Sequence, residues 1–269
     1  MLCQQDIVEQ RHFDDAVAHG GWAIDLHPSE GVYSAENPCS QWHSKGVFQI
    51  PYRCFISKDI DNLFFAGRII SATHLAFGST RVMLTCALGG QAVGMAAALC
   101  VKNGISPCEV LNEKMPHLQQ HLNLTGQSIP SVPTNLAGTL LAEANIDASS
   151  QLQLSKIPFD GKWMSLDTSV AQLLPLKKGQ KYSFEVQVKA KSKTTISCEL
   201  RSSVEKHNYT PEITHERVDI ELFEGEQNIE VHFGQGTLDD QYGFVTFLSN
   251  DDVEIRCSDK LITGIVTVF

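Results

Sequence analysis

Two short stretches of the sequence set backbone where a ligand can come close. Leu63-Phe64-Phe65-Ala66 is an apolar run that ends on Gly67-Arg68. A glycine at a strand end admits a ligand to the main chain because no Cβ intervenes. Ser79-Thr80-Arg81-Val82 stands at the head of a second, much longer apolar run. If that run is a helix, its first turn carries unpaired N–H groups and a partial positive charge, which suit anionic or electron-rich oxygen. His74 lies between the two stretches. Metal chemistry is not expected: His19, His27 and His43 match no ligand spacing, and none of the eight cysteines forms a CxxC pair.

The elements that hold these residues follow from periodicity. A helix is predicted from about Arg81 to Lys102, capped by the Ser79 and Thr80 hydroxyls and closed by Lys102-Asn103-Gly104. It is apolar almost all round, so burial is expected, with Gly90 and Gly94 letting another element approach one face. Residues 62–66 read as a buried strand, and 107–122 as an amphipathic helix. Near the amino end, Asp6 and Glu9 have capping-box spacing, and a helix over 5–18 is predicted. Two prolines in Ser128-Ile129-Pro130-Ser131-Val132-Pro133 mark a crossover near residue 130. Beyond it, period-two alternation dominates, as in Lys181–Lys189, Thr194–Leu200 and Tyr242–Leu248. The expected class is α+β: residues 1–130 with a long buried helix, then an antiparallel β-sandwich over 131–269.

Composition narrows the function. A formal net charge of -10 and lysines interleaved along apparent strands argue against a nucleic-acid surface. Val82–Val101 is about long enough to cross a bilayer, yet it is rich in Ala and Gly and contains Gln91, so a buried soluble helix is expected and no membrane partner. No signal peptide is read at the amino end, and scattered cysteines are expected to be buried free thiols. Cytoplasmic and periplasmic locations both stay open.

The stretch DNLFFAGRIISATHLAFGSTRVMLTCALGGQAVGMAAAL, with GGWAIDLHPSEGVY and IPYRCF upstream, resembles the C-terminal, FAD-contacting part of FAD-dependent oxidoreductases related to fumarate reductase and glutathione reductase. It looks closest to a bacterial branch some of whose members are labelled xanthan lyases. The resemblance implies FAD as cofactor, with Gly67 and Arg68 facing its ribityl-phosphate portion. Ser79, Thr80, Arg81 and Val82 would lie at the pyrimidine edge of the flavin. It implies His74 as proton donor or acceptor, and Asp25, His27, Tyr52 and Arg53 on the side of a small organic substrate, with Arg53 suited to a carboxylate. The family's GxGxxG turn for the ADP portion is missing from this sequence. The chain is therefore expected to be a C-terminal portion that holds FAD poorly alone, unless another chain or a homo-oligomer completes it. The alternative is a non-catalytic protein whose β-domain binds carbohydrate, through aromatics such as Trp163, Tyr182, Tyr209 and Tyr242, or binds a partner chain.

Overall fold

A computed structural model of the chain describes residues 1–150, 157–234, 239–260 and 266–269. It divides into two compact units, Met1–Asn145 and Ile146–Phe269, whereas the sequence places the crossover at 128–133. The α+β class holds: the first unit mixes helices with short hairpins, and the second is built of strands.

Unit 1 begins with α1 (Gln4–Val8), where Asp6 accepts from Cys3 N at 2.8 Å and so closes a capping box around Cys3. The helix predicted over 5–18 stops there. Gln10 takes a left-handed φ of 49°, and residues 16–20 form strand β1 (Ala16–Gly20) instead. Ala16, Val17 and Ala18 are all fully buried. A strand covered on both faces loses its alternation and cannot be told from a helix by periodicity. The remaining strands of the unit are β2 (Ile24–Leu26), β3 (Ser40–Trp42) and β4 (Phe48–Pro51), paired antiparallel as β1 with β4 and β2 with β3. The segment expected as a buried strand at 62–66 forms only an isolated bridge, Phe64 to Ile56, and Leu63 is exposed.

Helix α2 (His74–Thr80) precedes the long α3 (Met83–Asn103), so Ser79 and Thr80 close one helix rather than cap the next. Val82 is the N-cap of α3 and makes no side-chain capping bond. The other end is as expected, with Gly104 left-handed at φ 65°. A helical stretch then runs through α4 (Pro107–Glu109), a π-helical turn at Val110–Lys114 and α5 (Met115–Leu124). Pro116 has no N–H to return to residue 112, so the ladder is broken there and the wider turn takes its place.

The expectation that α3 is buried all round fails. Its covered stripe is Thr85, Gly89, Ala92, Ala96 and Leu99. The opposite stripe, Ala87, Gln91, Gly94, Ala98 and Val101, is exposed along the whole helix. Only 28% of its most apolar window is buried, although length and composition alone would let it cross a membrane. Gly90 and Gly94 face open space; the close approach is made at Gly89, where a Cβ would lie 2.5 Å from the Phe55 ring.

Unit 2 comprises β5 (Trp163–Ser165), β6 (Val170–Leu176), β7 (Tyr182–Ala190), β8 (Thr194–Ser202), β9 (Ile213–Leu222), β10 (Gly225–Phe233), β11 (Gln241–Phe247), β12 (Val253–Arg256) and β13 (Thr267–Val268). They form a four-stranded sheet ordered β10-β7-β12-β5 and a five-stranded sheet ordered β13-β6-β11-β8-β9, every described pair antiparallel. Inward residues of both sheets, among them Val188, Val231, Ile196 and Val245, belong to one apolar cluster. Gly243 has no room for a side chain, being set against Leu176 and the Arg201 carbonyl. All eight cysteines are free, but only Cys54 and Cys198 are buried, not the whole set. Burial pushes the Cys198 thiol up to about 12, which makes it inert at neutral pH.

Candidate functional site

The residues predicted for chemistry separate into two places in unit 1. The first is built where α2 lies directly on β2. Gly78 makes that possible, since a Cβ there would sit 2.8 Å from the Asp25 carbonyl oxygen. The contact is locked by Ser79 Oγ, which donates to the Trp22 carbonyl at 2.6 Å. Arg81 Nη2 donates to the Asp25 carbonyl at 3.0 Å and reaches Asp25 Oδ2 at 3.4 Å. His27 joins from just beyond the strand, with Nε2 3.5 Å from Asp25 Oδ2. Its Nδ1 lies 2.9 Å from the Pro38 carbonyl, which can only accept, so Nδ1 carries the hydrogen. Asp25, His27, Ser79 and Arg81 thus form one group. Asp25 Oδ1 and Thr80 Oγ1 are buried beside it without a hydrogen-bond partner, and buried polar atoms are paired in the great majority of cases.

Next along the chain stands the bare first turn of α3. Met83 and Leu84 are 87% and 82% exposed, and the leading amides of a helix have no intrahelical acceptor. Because Arg81 N already donates to Phe77 O at 3.1 Å, the open amides begin at Val82, two residues later than a helix starting at Arg81 would put them. The Gly67–Ile69 turn packs against α3. Gly67 is left-handed at φ 66° with nothing within 4 Å of its missing Cβ. Arg68 is exposed and, among the described residues, has no carboxylate within ion-pair distance; its charge reaches Cys86 near the head of α3.

His74 is the first residue of α2, exposed, and separated from Thr80 by about 9 Å along the axis at 1.5 Å per residue. It lies at the opposite end of α2 from the Asp25 group.

Tyr52 and Arg53 form the second place, at the other end of the β1–β4 hairpin. Ala16 pairs with Pro51 there, while Gly20 pairs with Phe48 near the Trp22 end. Tyr52 is fully buried and donates its hydroxyl to the Pro107 carbonyl at 2.9 Å; burial, with Cys100 and Cys108 nearby, raises its pKa. Arg53 is tied to buried Asp15 through its main-chain N–H at 3.1 Å, Nε at 2.9 Å and Nη2 at 2.5 Å. Arg53 ties the end of β4 to the segment before β1, Tyr52 ties it to α4, and neither is brought to the Asp25 group. The contacts that join the site, Trp22 to Ser79 and Gly78 to Asp25, carry no signal in the sequence, because they link segments more than fifty residues apart.

In unit 2, the four aromatics considered for sugar stacking do not make one platform. Trp163 packs under Arg256, whose guanidinium carbon is 5.3 Å from the ring centroid. Tyr182 lies five positions along β7 from the level of that pair, roughly 16 Å at 3.3 Å per residue. Tyr242 belongs to the other sheet. Among the described residues no three His, Cys, Asp or Glu side chains come together as a metal site.

A family model described as FAD dependent oxidoreductase matches residues 1–122 of the chain. The match takes in the Asp25 group, the Gly67 turn and all of α3, and stops inside α5, so unit 2 lies outside it. No curated protein and no solved structure matches the chain.

Proposed function

We propose that unit 1 supplies one wall of the flavin site of an FAD-dependent oxidoreductase and that a dinucleotide-binding half, from elsewhere, supplies the other. The observation that carries this reading is the uncovered face of α3. A helix of mean apolar character is normally buried all round. Here one stripe is seated and the other, glycine- and alanine-rich, is bare. Small residues with open space at Gly90 and Gly94 suit close approach by a second body.

The residues fit FAD on this one side. The Gly67 main chain and the unpaired Arg68 guanidinium would hold its ribityl-phosphate portion. The open amides from Val82 onwards would meet the pyrimidine edge, where a helix N-terminus favours negative charge. Asp25 would hold Arg81 in position beside that turn, and exposed His74 would exchange a proton with solvent. FAD, when bound, supplies the two-electron acceptor for oxidation of a small organic substrate. No phosphate cradle of the GxGxxG kind is present in the sequence, so the chain alone should bind FAD weakly.

Titrating the purified chain with FAD and following flavin fluorescence tests the reading. Weak quenching is expected, with the flavin lost on desalting. Gly67→Asn keeps the left-handed backbone, which asparagine tolerates, and places its side chain in the open space. It should leave the helical circular dichroism unchanged and weaken FAD at least ten-fold. A stoichiometric complex that survives desalting would refute the one-wall reading. No response to FAD, or equal binding by Gly67→Asn, would refute the flavin site.

A further inference from the structure

A pair of histidines outside that site has the spacing of a metal chelate, and one of them its tautomer. His117 and His121 lie four residues apart on α5, both exposed, with ring centroids 4.2 Å apart. Residues at that spacing share one helix face, and H-x3-H falls within the spacing of zinc-ligating histidine pairs. His121 Nδ1 is 3.1 Å from the His117 carbonyl oxygen. A carbonyl can only accept, so Nδ1 carries the hydrogen and the Nε2 lone pair is left pointing away from the backbone. Donation of the second ring nitrogen to a carbonyl is the arrangement that orients metal-bound imidazoles. His117 also lines a groove of about 470 Å³ together with Glu113, Lys102 and Lys114.

From this geometry we infer that His117 and His121 together bind a borderline divalent transition-metal ion, Zn²⁺ or Cu²⁺, with water completing its coordination. Imidazole suits both ions. Two nitrogens each about 2.0–2.1 Å from a tetrahedral zinc stand roughly 3.3 Å apart, within reach of these rings by rotation about exposed side-chain torsions. Lys102 and Lys114 oppose a cation, but at an exposed position their field is screened by salt, and Glu113 offsets part of it. Direct coordination by two nitrogens outweighs that residue of repulsion. The chelate needs nothing from the Gly67 turn or the first turn of α3, because His117 lies by Leu99, Lys102 and Asn103 at the other end of that helix.

Calorimetric titration of the untagged full chain with Zn²⁺, in a buffer that does not bind metal, should show one saturable site. His117→Ala and His121→Gln should each weaken it at least ten-fold, and both are surface changes that leave the fold intact. Exposed Cys108 is the competing ligand, so Cys108→Ser should bind as the parent does. Loss of binding in Cys108→Ser with retention in the histidine variants would overturn the assignment, as would the absence of any saturable Zn²⁺ site.

Discussion

Gly89 and Gly90 are neighbours on α3 whose replacement by alanine should act with opposite signs. In a helix interior, Gly→Ala gains about 0.8–1.0 kcal/mol from backbone entropy and propensity. At Gly90 a new Cβ meets nothing within 4 Å, so Gly90→Ala should stabilise unit 1 by about that amount. At Gly89 the same Cβ would lie 2.5 Å from Phe55 Cε1 and 3.1 Å from Cζ. The ring cannot simply swing aside, because Phe55 is 2% exposed and its main chain bonds both Tyr52 and Phe65. Overpacking of this kind costs about 1–3 kcal/mol, which cancels or exceeds the propensity gain. The propensity term is common to both variants, so their difference isolates the contact at about 1–3 kcal/mol. For a unit of this size that is on the order of 2–4 °C in Tm per kcal/mol. Thermal melts followed at 222 nm report on this unit, since the described α-helices all lie in it. Should Gly89→Ala raise Tm as much as Gly90→Ala does, α3 is not seated on Phe55 and the division of the helix into covered and bare stripes is wrong.

Two further outcomes follow from particular side chains. Burial lowers the pKa of His19, more than its contact with the Ser128 backbone restores it, and its Nδ1 is buried without a partner. The unfolded chain therefore binds the proton more readily, and stability should fall as pH drops through the ordinary histidine range near ~6.5 towards the lowered folded value. Urea unfolding of His19→Gln between pH 7.5 and 5 should show a flatter acid limb than the parent; an unchanged limb would mean that His19 is not the group responsible. Asp15 accepts three bonds from Arg53, so Asp15→Ala should cost about 1–3 kcal/mol by leaving these donors unmatched. Arg53→Ala should cost at least as much, because it strands the Asp15 carboxylate, 4% exposed, without its guanidinium, whereas the half-exposed Arg53 left by Asp15→Ala can be solvated by water; a clearly smaller loss in denaturant midpoint for Arg53→Ala would contradict that asymmetry.

The sequence by itself determined the long helix, its glycine stop at Gly104, the strands of unit 2 and the position of the Gly67 turn. All of these rest on local signals: apolar runs, period-two alternation, and the backbone freedom of glycine. It misread residues 5–18, because a strand buried on both faces carries no alternation, and it put the caps of α3 two residues early, because Ser79 and Thr80 were already spent on α2. What tertiary structure alone decided is which residues meet. Arg81, His27 and Asp25 come together only because Gly78 lets α2 lie on β2, while Tyr52 and Arg53 are drawn to Asp15 at the far end of a hairpin. Most of all, the sequence says that α3 is apolar on every side, and only the packing shows which side is covered. An apolar pattern records that a face must be buried at some stage; it does not record whether the same chain buries it.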